Sequence, residues 1–168
     1  KIDFVDKMFR SFNIRSAMGD IGFAEDLSAE LKKQYGEKYK TVRNSSMVSG
    51  GVKYNEDELE VVLDKDKAIE EIFNLLRKGQ IRFPWGSYEN IIWLVKQCCS
   101  MESRVVIRKG EPHTTYIKGK LQNDGLMALI YAYIAYKFDR TRGFKMKEHK
   151  IGRSGIPRPV LAYCPKKI

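Results

Sequence analysis

Leu121-Gln122-Asn123-Asp124-Gly125-Leu126 decides the fold of this chain, because it opens the longest apolar-periodic stretch, which runs to about Arg140. Downstream of it, Leu126, Leu129, Ile130, Tyr133, Ile134 and Phe138 recur three and four apart, the spacing of one face of an α-helix. Such a stripe has to be buried, so the first turn of this helix is fixed in space by core packing. Asn123 or Asp124 suits an N-cap, where a side-chain oxygen takes an orphan backbone N–H. The same carboxylate, held on a rigid element, also suits a metal ligand if a second acid is presented in the same way.

Asp20 is that second acid, about a hundred residues earlier. Residues 14–20 read as a short strand ending in an acid, residues 21–23 as a turn, and residues 24–35 as an amphipathic helix closed by Gly36. Functional groups in open α/β sheets gather at the carboxyl ends of strands, and Gly19 and Gly22 leave room for a close approach. Two aspartates brought to one place favour magnesium or manganese, hard ions that take oxygen ligands and fill their shells with water and substrate phosphate. Two such ions would serve hydrolysis of a phosphodiester, one activating water and one steadying the leaving oxygen.

Elsewhere, helix and strand alternate as in an α/β domain. Residues 3–12 carry Phe4, Val5, Met8, Phe9 and Phe12 at helical spacing. Residues 40–44 read as a strand, 44–51 as a turn-rich loop, 58–63 as a strand and 64–78 as a helix ended by Gly79. Residues 80–84 read as a brief strand stopped by Pro84. A helix capped near Ser87 runs to about Cys99, with Ile91, Ile92, Leu94 and Val95 buried. Strands at 104–109 and 114–118 form a hairpin around residues 110–113. Residues 1–140 make the core, and 141–168 a basic tail with eight Lys or Arg against one Glu.

The 168 residues are 43% hydrophobic, enough for one domain core, and carry a net charge of +10, which points to a polyanionic partner. Nucleic acid is the expected one, although composition alone does not separate DNA, RNA and an anionic membrane. Arg104, Arg108, Lys109, Lys118 and Lys120 on the hairpin would meet its backbone, and Lys145, Lys147, Arg153 and Arg158 in the tail suit either that backbone or a protein partner. No stretch of 18 apolar residues and no signal-peptide pattern occurs, so a membrane partner is not expected. Cys98, Cys99 and Cys164 form no CxxC pair, which suits a reducing cytoplasm, and Cys98 and Cys99 read as core residues. His113 and His149 stand too far apart for a zinc pattern, and neither GxxxxGK[ST] nor GxGxxG is present.

In order and spacing, three stretches resemble the nuclease domain of tailed-bacteriophage terminase large subunits. They are Met18-Gly19-Asp20-Ile21-Gly22-Phe23 before a helix; Leu63-Asp64-Lys65 leading through Ile72-Phe73 to Gly79-Gln80-Ile81-Arg82-Phe83-Pro84; and Asn123-Asp124-Gly125-Leu126-Met127-Ala128-Leu129. The resemblance covers about residues 3–140. It implies an RNase H-like (RuvC-like) α/β fold, a mixed sheet flanked by helices. It also implies two-metal-ion cleavage of double-stranded DNA during viral genome packaging in the host cell cytoplasm, with the portal protein and small terminase subunit as partners. In the family both motif acids bind catalytic metal, which assigns Asp20 and Asp124. The family's first carboxylate lies on an opening strand, and nothing like it precedes Asp20, so the sequence reads as a nuclease domain lacking its first strand. A junction resolvase or transposase-type nuclease on the same fold is the enzymatic alternative. The other is a non-catalytic module that binds DNA or capsid.

Overall fold

The computed structural model describes residues 2–22, 25–46, 48, 50–83, 88–108 and 110–141. Lys109, His149, Cys164, Ser87 and the basic tail from residue 142 onward lie outside the described residues. The chain runs α1 (Ile2–Ser11), β1 (Ala17–Asp20), α2 (Glu25–Tyr35), a 3₁₀ turn (Gly36–Lys38) and β2 (Tyr39–Ser45). It continues through β3 (Val52–Asn55), β4 (Glu60–Asp64), α3 (Lys65–Arg77), α4 (Tyr88–Cys99), β5 (Met101–Arg108), β6 (Glu111–Lys118) and α5 (Asp124–Thr141).

Four strands form one mixed sheet in the order β1-β2-β4-β3, and β5 and β6 form a separate hairpin. β1 and β4 both run parallel to β2, whereas β3 is antiparallel to β4. The first four residues of β2 are buried, as expected of a central strand covered on both faces. β1 leads into β2 through α2, the crossover that a parallel pair requires. The molecule is thus α/β with a mixed sheet flanked by helices.

Core packing follows the register. Side chains on one face of a strand recur every second residue, so Val42, Val61 and Leu63 share a face. They meet Ile69 and Ile72 of α3 and Leu126, Ile130, Ile134 and Phe138 of α5. The periodic stripe read from the sequence therefore is the core face of α5. Leu129 and Tyr133 flank it, half-buried.

Several expectations need correction. Residues 80–84 form no strand where they are described: Gln80 and Ile81 fold back, both N–H groups donating to the Leu75 carbonyl (2.9 and 3.4 Å). β3 occupies residues 52–55, between the expected loop and the expected strand at 58–63, where the sequence suggested no element. Ile91, Ile92, Leu94 and Val95 of α4 are half-buried rather than buried, and Trp93 is 52% exposed. α4 covers the start of α5 instead of entering the core between sheet and helices. Cys98 is half-buried, its thiol pushed up by burial, but Cys99 is exposed and not a core residue. The hairpin is longer than expected, its strands spanning Met101–Arg108 and Glu111–Lys118, with Gly110 before β6 at φ +84°, where glycine adopts the left-handed conformation without a Cβ penalty.

Candidate functional site

The position of α5 builds the site. Near its first turns the Tyr131 hydroxyl accepts a hydrogen bond from Asn44 Nδ2 at the end of β2 (3.1 Å). Two turns later, Phe138 lies edge-on to Tyr54 with ring centroids 5.1 Å apart, and Lys40 near the start of β2 reaches over it at 5.6 Å. Asp139 then meets Arg15, just before β1 (3.6 Å). α5 therefore runs against β1 and β2, and its N-terminus lies at their carboxyl ends.

Asp20 ends β1 at the same edge. Register pairs it with Val42, so it faces the α5 side of the sheet together with Asn44. It is close enough to Tyr131 to matter electrostatically. Burial foremost, with the Asp20 charge adding to it, raises the Tyr131 phenol above its usual range, against an opposing effect of the Asn44 hydrogen bond. Asp20 Oδ1 accepts the Gly22 N–H at 3.3 Å, an Asx-type turn that holds the carboxylate at the strand end.

Asp124 is the first residue of α5 and is exposed. Asn123 precedes the helix, its carbonyl accepting the Met127 N–H (2.9 Å). An acid in the first turn interacts favourably with the helix dipole. Gly125 brings this turn against α4: its N–H donates to Gln97 Oε1 (2.8 Å), and a Cβ there would overlap the Trp93 ring. The sequence-predicted pair is thus brought to one edge, Asp124 lying seven residues before Tyr131, about 10 Å along the helix axis. No hydrogen bond joins the two acids. Among the described residues, no group of three or more His, Cys, Asp or Glu is gathered closely enough to hold a metal ion.

Asp64 is a third acid at that edge, ending β4. Its carboxylate accepts the Lys67 N–H (3.3 Å) and meets Lys67 Nζ at 3.8 Å, so it is the N-cap of α3 and already committed. A strand-ending Asp followed directly by a helical stretch is the sequence signal for that role.

The hairpin is pinned at its base. Asp66 of α3 accepts Thr115 Oγ1 (2.9 Å) and the Tyr116 N–H (2.8 Å), and Tyr116 lies edge-on to Phe73 at 5.8 Å. Beyond that anchor the ribbon projects, leaving Val105 and Ile107 each 69% exposed. Its basic residues are not all on one side. Arg104 and Arg108 share a face by register, while Lys118 pairs with Met101 on the other. Arg108 lines a cleft of about 530 Å³ with Asp64, Asp66, Glu70 and His113. Arg104 lies 3.4 Å from Glu102, and Lys118 donates to Gln122 (3.1 Å). Lys118 and Lys120 are exposed.

No protein-family model matches the chain, and no curated protein or solved structure matches it. Among the described residues, no helix is long and apolar enough to cross a membrane.

Proposed function

We propose that this chain is an RNase H-like, metal-dependent endonuclease domain that cleaves double-stranded DNA during viral genome packaging, in the manner of a terminase large subunit. One observation carries the reading: α5 runs against β1, so Asp20 and Asp124 stand at the same carboxyl edge. The donor set fits magnesium or manganese, which need only one or two carboxylates when water and phosphate complete the shell. Asp20, through the oxygen not taken by Gly22, and Asp124 would hold the metal. When bound, such ions acidify a coordinated water and offset charge on a phosphodiester.

The chain's own groups do the rest. Asp66 holds the hairpin base on α3, and the exposed Arg104, Lys118 and Lys120 would meet phosphates without reading sequence. A net charge of +10 draws a polyanion to the surface. Among the described residues no third donor joins Asp20 and Asp124, which also suits a non-catalytic DNA- or capsid-binding module.

Plasmid cleavage in Mn²⁺, Mg²⁺ or EDTA, with Mn²⁺ binding measured by calorimetry, separates the two readings. Metal-dependent nicking that is lost in Asp20→Asn and Asp124→Asn, together with weakened Mn²⁺ binding, supports the nuclease. DNA binding without cleavage, and Mn²⁺ binding that neither substitution changes, overturns it in favour of the binding module.

A further inference from the structure

We propose that Trp93 is a stacking platform for an unpaired nucleobase beside Asp124, so that the strand cut at this edge is one whose bases are locally unstacked. The proposal rests on the reading of the α5 start as a DNA-cleaving site. α4 carries the indole to that start. The six-membered ring lies so near Gly125 that a Cβ there would overlap Trp93 Cζ3 and lie 3.0 Å from Cη2. Asp124 is the next residue, its Cα about 3.8 Å from that of Gly125 across the peptide. A phosphate held through a metal at Asp124 therefore has its nucleoside within reach of the ring. The indole is also fixed in orientation, because its Nε1–H donates to the Asn90 carbonyl one turn earlier in α4 (2.7 Å). With that N–H committed and one ring edge on Gly125, what Trp93 offers a ligand is apolar π surface, and the residue is 52% exposed.

Packing of α4 on α5 does not account for that exposure. A leucine would fill the space above Gly125 and leave less apolar surface in water. An indole adds a flat face on which a base of any sequence can stack. The charges around it favour nucleic acid over an apolar protein partner. Lys96 is exposed three residues further along α4, on the same side of the helix. Lys120 is exposed in the connection from β6 to α5. Glu89 lies in the first turn of α4, where the helix dipole favours an acid. Aromatic surface flanked by cations is the arrangement that tracks a single strand. A base inside a duplex has both faces covered by its neighbours, so only one that has left the stack can use the ring. Leaving it costs least at a mismatch, an end or a single-stranded stretch, and duplexes with such a feature at the cut are the substrate class this site takes.

Anisotropy titrations of the full 168-residue chain in EDTA, with labelled oligothymidine and a blunt duplex of the same length, test the platform. Trp93→Leu should weaken oligothymidine binding at least about fivefold more than duplex binding, the loss expected for one base–aromatic stack. Trp93→Phe should keep most of the affinity, because it keeps a ring. Oligothymidine should also quench indole emission in the wild type. Trp85 is the other tryptophan, so in Trp93→Phe that quenching should be lost while Trp85 still emits. Equal losses on both probes, or a Trp93→Phe variant as weak as Trp93→Leu, would show a packing role and overturn the proposal. So would oligothymidine affinity that Trp93→Leu leaves unchanged, failure to bind either probe, or quenching that survives in Trp93→Phe. The measurement needs no metal and no cleavage, so it separates the two readings: a chain that cuts DNA without this dependence on Trp93 loses the platform and keeps the nuclease, and one that stacks oligothymidine but never cuts does the reverse.

Discussion

Asn44 at the end of β2 donates to the hydroxyl of Tyr131 on α5, 87 positions along the chain, at 3.1 Å. This bond ties the N-terminal half of α5 to the carboxyl edge of the sheet, beside Asp20. Asn44 is exposed and Tyr131 buried, so losing Asn44 leaves the phenol with a poorly hydrated hydroxyl. Asn44→Ala and Tyr131→Phe should each destabilise by about 1 kcal/mol, a typical net value for one hydrogen bond. The double variant should cost less than the sum of the two, because they share one interaction. Chemical denaturation of the four proteins checks this; additivity would mean that the bond contributes nothing.

Gly125 sets the distance between the start of α5 and α4. A Cβ at this position overlaps Trp93 and lies 2.8 Å from Gln97 Oε1, so Gly125→Ala has to push the helix start away and break the Gly125–Gln97 hydrogen bond. Higher helix propensity would favour alanine by about 1 kcal/mol, but overpacking of this kind typically costs about 1–3 kcal/mol. The expected outcome is a net loss of stability accompanied by weaker Mn²⁺ binding, as Asp124 moves with the turn. Trp93→Ala in the same chain should restore part of both, since it removes the obstacle. Stability and calorimetric titration of the single and double variants measure the two effects together.

That Asp20 and Asp124 share an edge was only partly legible in the sequence. Each acid announces itself locally, Asp20 by ending a strand before a helix and Asp124 by preceding a strongly periodic run. Their common edge depends on the direction of α5 across the sheet, which contacts such as Asn44–Tyr131 and Arg15–Asp139 fix and which no local pattern encodes. β3 escaped notice because Val52-Lys53-Tyr54-Asn55 is short, and Gly50, Gly51 and the acids from Glu56 onward frame it as loop. Residues 80–83 misled in the opposite direction. Their alternating Ile81 and Phe83 look like a strand, but the free carbonyl of Leu75 at the end of α3 takes both amides and curls the segment back. The basic hairpin was visible as a charge pattern, whereas the division of its cations between two faces follows from cross-strand register.

The hairpin cations differ in what they can offer a phosphate backbone. Lys118 and Lys120 are exposed, while Arg108 faces an acidic cleft. Neutralising one cation that touches a phosphate should lower the slope of log affinity against log salt by about 0.9 for duplex DNA. Lys118→Gln with Lys120→Gln should therefore flatten the salt dependence of binding to a random duplex by nearly twice that amount, and Arg108→Gln should change it little. Fluorescence anisotropy titrations at several salt concentrations check this; an unchanged slope in the double variant would remove the hairpin base from the DNA interface.

Tyr133 on α5 donates its phenolic proton to Glu71 on α3 (2.8 Å), and Lys137 Nζ lies 3.1 Å from the same carboxylate oxygen. Burial foremost, then the hydrogen bond to Glu71 and its negative charge, push the phenol far above its ordinary value of 10.0. The folded state thus holds this proton more tightly than the unfolded chain does. Its contribution to stability is complete below the unfolded tyrosine value and is lost as pH rises from there toward the folded value. Stability should therefore fall with rising alkalinity above about pH 10, the ordinary tyrosine range, and Tyr133→Phe should make that fall shallower while losing the Glu71 bond at neutral pH. Lys137→Met should not remove the decline, because the proton that titrates belongs to Tyr133. Denaturant midpoints measured from neutral to alkaline pH for the three chains decide the matter: equal slopes for wild type and Tyr133→Phe would show that the alkaline loss has another source.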